Sequence, residues 1–383
     1  MRSVLIIVAA VSCIGTSGCD DSEPSGDGDG DADVDADGDG DGDADGDGDT
    51  DGDGDGDGDG DGDADADGDG DADADADGDG DADPEVEVGL SDRHFTYDGE
   101  ETFVLAASYY GGCGATADTV TSDLEGLSAL GFNNVRVWVT WTRGGVDNSS
   151  VLRPDGSLNA AALDRLDFLI EMARSRGMTV DVTFSIGVEG SSDGGFDAYR
   201  DGIAALTAEL VDYRNIFFDL GNEHDVEDSR YLSTEQVAEL ASAVRAIDPA
   251  RLLTASLGGN PPDQAADLYA DLYETADIDF ATPHFIRNDV WAAETQSRVE
   301  AMRDDLIDAG WDRPIYLQEE ARRGYNDAQW PKTDFLTAVA GARAADAAGW
   351  CFHTDAGFEL VDSTFFDQLD EVELDAIDEL ASP

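Results

Sequence analysis

Two short stretches of this 383-residue chain carry residues whose types and spacing could do chemistry. The first is Asn215-Ile216-Phe217-Phe218-Asp219-Leu220-Gly221-Asn222-Glu223-His224-Asp225, an apolar run of strand length that breaks at a glycine into four consecutive polar side chains. A buried barrel strand delivers functional groups to its C-terminal rim in this way. The second, Arg313-Pro314-Ile315-Tyr316-Leu317-Gln318-Glu319-Glu320, ends a later apolar run in carboxylates. Two strand-end glutamates facing one another are the minimum apparatus for cleaving a glycosidic bond. One must be protonated to help the leaving oxygen depart, and the other ionised to attack the anomeric carbon. One carboxyl therefore needs its pKa raised, and its negative neighbour does part of that.

The elements that must position these residues alternate along the chain. Strand-like runs at 102–110, 134–141, 179–185, 215–220, 252–257, 279–284, 315–319 and 349–353 are each followed by a stretch of helical spacing, at 118–130, 159–176, 197–213, 234–247, 263–275, 294–309, 333–348 and 372–380. Eight strand-then-helix units predict an α/β fold of the (β/α)8 TIM-barrel kind. A doubly wound open sheet is the alternative, but no Gly-x-Gly-x-x-Gly follows the first strand. Strand alternation then sorts the side chains. Ile315, Leu317 and Glu319 share one face, which favours Glu319 over Glu320 as the inward carboxylate. Glu320 would be a rim residue paired with Arg322 or Arg323. Arg136 shares its face with Trp138 and Thr140, while Val135, Val137 and Val139 suit the helix layer. An arginine inside a barrel needs a carboxylate partner, and a structural ion pair with Asp219 is one choice.

Taken together, these residues resemble the retaining glycoside hydrolases of clan A, and most closely glycoside hydrolase family 5, the cellulase and mannanase group. The likeness covers roughly Pro84 to the end. It rests on Asn133-Asn134-Val135-Arg136, Asn222-Glu223, Pro314-Ile315-Tyr316-Leu317-Gln318-Glu319 and Gly349-Trp350, in this order and at strand ends. The resemblance implies Glu223 as general acid/base and Glu319 as nucleophile, Arg136 bracing the nucleophile, Asn222 holding a sugar hydroxyl, and Trp350 as a stacking platform, with Trp138 on the face of Arg136. His284 is expected either to bind substrate or tune the nucleophile, or to be a core histidine. The chain departs from the family pattern where His284-Phe285-Ile286 lacks the tyrosine of His-x-Tyr, and where no histidine ends strand three. Neither a cofactor nor a metal is implied. An unrelated barrel enzyme such as an aldolase or a metal-dependent hydrolase is less well served, because a Schiff-base lysine and a His-x-His pair are lacking. A carbohydrate-binding barrel without turnover is the alternative from another class.

The N-terminal region reads differently. Residues 1–18 have a positive start and a short apolar run, and Thr16-Ser17-Gly18-Cys19 resembles a bacterial lipoprotein signal in which Cys19 is lipidated. Residues 19–84 are Asp at nearly every second position with Gly or Ala between, a solvated acidic linker, and 85–383 form the catalytic domain. The expected location is therefore the bacterial cell envelope, with membrane contact only through the lipid anchor, or the extracellular space if the leader is an ordinary secretion signal with free release. The net charge is −68, and even beyond the linker 57 acidic residues face 20 basic ones. Long-range repulsion disfavours nucleic acid, anionic lipid or polyanionic polysaccharide as partner and favours a neutral carbohydrate, bound by a monomer. Cys113 and Cys351, the cysteines outside the leader, make a disulfide possible in an exported protein.

Overall fold

The computed structural model describes residues 86–142, 149–186 and 194–380. The signal segment, Cys19 and the acidic linker lie outside the described residues. Among the described residues no helix is long and apolar enough to cross a membrane.

The described chain opens with an antiparallel sheet, β1 (Val88–Ser91), β2 (His94–Tyr97) and β3 (Glu100–Thr102), which the helix-and-strand alternation does not predict. Parallel strands and helices then follow. The strands are β4 (Val104–Ser108), β5 (Asn134–Trp138), β6 (Thr179–Thr183), β7 (Ile216–Asp219), β8 (Leu253–Thr254), β9 (Leu257–Asn260), β10 (Pro283–Phe285), β11 (Tyr316–Leu317) and β12 (Gly349–Phe352). The principal helices between and after them are α1 (Ala117–Ala129), α2 (Ala160–Arg174), α3 (Gly195–Glu209), α4 (Thr234–Arg245), α5 (Pro262–Ala276), α6 (Trp291–Asp308) and α7 (Lys332–Ala344), with α8 (Phe365–Gln368) and α9 (Glu371–Leu380) at the end.

One curled parallel sheet runs β11-β12-β4-β5-β6-β7-β8, and β9 pairs with β10 beside it. Backbone hydrogen bonds bridge the remaining gaps: Asp279 N donates to Leu253 O (2.8 Å), and Ala281 is bridged to the chain before and within β11 by Ala281 N to Pro314 O (2.9 Å) and Tyr316 N to Ala281 O (2.8 Å). The arrangement is consistent with a (β/α)8 barrel. The expected fifth strand is split at Ala255-Ser256, and the sixth is regular only from Pro283. The cause of the split is local. Ser256 turns its backbone N–H and its hydroxyl to the Asp219 carboxylate (3.0 and 2.8 Å), so it leaves the strand ladder.

Alternation along the strands makes two apolar layers. Leu105, Ala107, Val135, Val137, Ile216, Phe218, Trp350 and Phe352 face outward into the large core beneath the helices. Val104, Ala106, Phe217, Tyr316 and Cys351 face the sheet interior, where Phe95 of β2 joins them. Phe95 is fully buried, with ring centres 5.0–6.1 Å from those of Phe280, Phe217 and Tyr316, and plugs the N-terminal end of the strands.

The same layering removes the expected disulfide. Cys113 and Cys351 are both free and buried. Cys113 belongs to the outer core and Cys351 to the inner cluster, so the sheet wall lies between two thiols that chain order alone makes neighbours.

Candidate active site

Arg136, at the inward face of β5, is fully buried and organises the C-terminal rim. Such a charge is stable only if its donors are satisfied. Nη1 donates to Glu319 Oε2 (2.7 Å) and to the Tyr110 hydroxyl (2.9 Å). Nη2 donates to Asn222 Oδ1 (2.8 Å) and Asp219 Oδ2 (3.2 Å), and Nε to the Thr183 hydroxyl (3.0 Å). Both partners that the sequence offers, Glu319 and Asp219, are thus used. The guanidinium also lies 5.3 and 5.6 Å from the ring centres of Tyr110 and Trp138.

Glu319 follows β11 and is wrapped by donors, but strand alternation is not what brings it inward: Ile315 and Leu317 face the outer core and Tyr316 the interior, and Glu319 enters the site because the chain leaves the strand beyond Leu317. Tyr110 donates to Oε2 (2.9 Å) and Arg287 Nη2 to Oε1 (2.8 Å). Burial pushes its pKa up, but His353, His284, Arg287 and Arg136 outweigh it and hold the carboxyl well below the usual range. His353 is itself driven neutral by burial, which leaves the Arg287 and Arg136 guanidiniums as permanent positive charges beside Glu319. Glu320 points away. It is buried rather than a rim ion pair, Arg322 and Arg323 being paired with Asp355 and Asp370, and burial pushes it up to about 7.

Glu223 sits beyond the end of β7 in the left-handed region, φ 48°, which costs a non-glycine residue energy and marks a position held by its surroundings. Its backbone N–H donates to the Ser256 hydroxyl (3.1 Å), and a Cβ on Gly258 would fall 3.0 Å from Glu223 Cβ and Cδ. Its carboxylate accepts from His284 Nδ1 (3.2 Å) and from Arg230, with Arg287 3.6 Å away. Burial and Glu319 raise its pKa, yet the hydrogen bond from His284, with the charges of His284 and Arg287, holds it below the ordinary value. The raised acid that glycosidic cleavage asks for is therefore not what these contacts alone produce.

One oxygen from each glutamate and a ring nitrogen of His284 lie within 4.8 Å of one another. That trio could ligate a metal by distance, but Arg136, Arg230 and Arg287 already bond its carboxylates, so a cation would meet fixed positive charge. Carboxyl oxygens that approach within 4.8 Å are compatible with the short class of paired carboxyls, about 5–5.5 Å apart, in which the second acts as nucleophile.

The glutamates line a cavity of about 200 Å³ with Asn222, Trp138, Trp141 and Phe358 among its walls. Glu223, Glu319, Arg136, Trp138, Asn222 and His284 thus come together as expected. Trp350 does not. Its ring is fully buried in the outer core beside Phe352, centres 6.4 Å apart, because alternation in β12 turns Cys351, not Trp350, inward. The aromatic wall comes instead from Tyr110, Trp138, Trp141 and Phe358. Residues that sequence reasoning misses are Tyr110, Arg230, Arg287, Arg322 and His353. Tyr110 and Arg287 supply donors to Glu319 where the tyrosine of His-x-Tyr is absent.

Solved structures with a similar fold include an endo-1,4-beta-mannanase from Rhizomucor miehei, at 16% identity over 77% of this chain and 98% of that one, TM-score 0.56. Others are an endo-beta-1,4-mannanase from Thermotoga petrophila, 15% identical over 74% of this chain and 77% of that one, TM-score 0.52, and a glycoside hydrolase family 5 protein from Bacteroides vulgatus, 16% identical over 78% and 70%, TM-score 0.57. At such identities the likeness is one of fold. No curated protein matches in sequence. The family model described as cellulase, glycosyl hydrolase family 5, matches residues 95–353, a span that holds both glutamates and Arg136, and the chain belongs to that family.

Proposed function

We propose that this chain is a retaining glycosidase on a (β/α)8 barrel, hydrolysing a β-linked polysaccharide or oligosaccharide of β-glucan or β-mannan type by double displacement. The observation that carries the reading is the close pair Glu223 and Glu319, with the second held ionised by Arg136 and Arg287. A Glu319 oxygen attacks the anomeric carbon while Glu223 passes its proton to the leaving oxygen, giving a glycosyl-enzyme. Glu223 then takes a proton from water, which attacks the same carbon and frees Glu319. Trp138 and its aromatic neighbours offer apolar faces to sugar C–H groups. For Glu223 to act as an acid its contact with Arg230 must give way, since a guanidinium on a carboxylate opposes protonation.

The test is the difference between two variants. Glu319→Ala should lose on the order of 10⁴-fold or more in turnover on every substrate, with azide restoring cleavage to an inverted product. Glu223→Ala should keep the first step on an activated aryl glycoside and accumulate the intermediate, and azide should then give a retained glycosyl azide. The reverse pattern swaps the roles. Near-normal activity of both variants on a natural β-glycan would leave a non-catalytic carbohydrate-binding barrel as the better reading.

A further inference from the structure

The charge of the catalytic cavity runs opposite to that of the chain around it. From residue 85 onward acidic residues outnumber basic ones 57 to 20, whereas this cavity is lined by Arg230, Arg287 and Arg322 against Glu223 and Glu319. Two of the three arginines are spoken for. Arg230 bonds Glu223 and Asp228, and Arg287 bonds Glu319.

Arg322 touches neither glutamate. Its guanidinium carbon lies 4.6 Å from the ring centre of Tyr325 and 5.1 Å from that of Phe358, so the group is packed against two aromatic rings. Nε donates to Asp355 (2.5 Å) and Nη1 faces His353 Nε2 (3.4 Å), and among the described residues Nη2 makes no hydrogen bond. The Asp355 side chain is 56% exposed against 12% for Arg322, so its charge stands largely in water and offsets the arginine weakly. Arg322 also borders an adjoining cavity of about 450 Å³, where Asp289 and Asp327 balance the arginines, so an anion is better placed on the catalytic side.

We propose that Arg322 reads an oxyanion carried on the bound sugar, so that the site takes an acidic residue, a hexuronate or a sulfated sugar, within a β-linked glycan. This rests on the glycosidase reading of the same site and narrows its substrate class. A guanidinium held against two rings presents a preformed fork to an oxyanion, and Arg322 has a donor to spare for one. The acidic surface that argues for a neutral substrate acts at long range. At physiological salt its field fades within about 8 Å, so it slows the encounter without cancelling the contact.

The experiment is calorimetric binding of the full chain to cellobiose, cellobiouronic acid and 6-sulfated cellobiose, with hydrolysis of longer β-linked chains built from the same units. At least one acidic ligand should bind about tenfold tighter than cellobiose or more, the better one identifying the anion. Arg322→Gln should shrink that preference to roughly threefold or less, while Arg322→Lys, which keeps the charge but not the fork, should retain part of it. Cellobiose binding as tightly as both acidic ligands, or a preference unchanged in Arg322→Gln, overturns the proposal. The two readings fail separately. Tight binding of the acidic ligand with no chain cleaved removes the glycosidase reading alone, and cleavage of neutral chains with no acidic preference removes this one alone.

Discussion

The strands of this molecule carry aromatic clusters at both ends, one packed without charge and one built around charged groups. At the N-terminal end Phe95, Phe217, Phe280 and Tyr316 meet at centre distances of 5.0–6.2 Å, among Val104, Ala106 and Cys351. At the C-terminal rim Tyr110, Trp138, Trp141 and Phe358 meet at 4.9–5.4 Å, yet here the Tyr110 hydroxyl bonds Glu319 and Arg136 lies against two rings. The first set does nothing but exclude water. The second is a low-dielectric frame in which each charge is felt strongly, which is what lets Arg136 and Arg287 hold Glu319 ionised while buried.

The sharpest way to break the comparison is to remove one residue from each end. Arg136→Ala removes the cation shared by Glu319, Asp219 and, 3.8 Å from its Nε, the buried Asp181. It should cost about 3–5 kcal/mol of stability and, because a preorganised charge is lost, roughly a hundred- to a thousandfold in kcat/KM. Phe95→Ala should cost a similar ~3–5 kcal/mol through the cavity it leaves, with kcat of the folded protein unchanged. Urea unfolding and kinetics on the same preparations separate the two. Equal losses of activity would mean that the ends are not independent.

A smaller effect sharpens the electrostatic half. Glu319 has a depressed pKa in the fold, so its contribution to stability is present above the ordinary glutamate value and lost as pH falls through the folded value. Arg287→Gln removes one of the charges that depress it, and Glu319 should then protonate at higher pH. The acid limb of the kcat/KM profile and the acid unfolding midpoint should both move upward. An acid limb that stays in place would assign it to another group. Smallest of all is the effect of oxidation. Burial pushes the Cys113 thiol up to about 12 and also raises that of Cys351. Both should resist thiol reagents in the native protein, react without prior reduction once it is unfolded, and leave the melting temperature indifferent to reductant. Material isolated with the two cysteines bonded to each other would contradict their placement on opposite faces of the sheet.

What was legible in the sequence follows from period and register. Long apolar periodicities place α1 to α7 and the central strands within a few residues, because burial on one face enforces the pattern. β1 to β3 are four, four and three residues long, too short for periodicity to speak, although Asp98-Gly99, both at positive φ, carries the signature of a tight hairpin turn. In the site, Arg136 is readable because alternation in β5 assigns its face, whereas Glu319 is readable only as a carboxylate at a strand end, since alternation from Ile315 and Leu317 points to the outer core. The same rule applied to Gly349–His353 places Trp350 outside with Phe352 and brings Cys351 and His353 inward, so that signal was present too. Arg230, Arg287 and Arg322 reach the cavity from connecting segments, where no period links position to direction, and only the folded chain brings them together.

Gly258 has a consequence for which substitutions this chain tolerates. The glycine sits in β9, thirty-five positions from Glu223, in a strand that donates no catalytic group, and a comparison of sequence motifs would pass over it. Yet any side chain there would meet Val226 at 2.7 Å and Glu223 at 3.0 Å, pressing on the catalytic carboxylate whose backbone is already in an unfavourable region. Saturation of every position by random replacement should therefore find 258 nearly as intolerant as 223 itself when scored by turnover, and far more forgiving when scored by soluble expression, so that a residue with no chemistry of its own behaves as part of the catalytic apparatus.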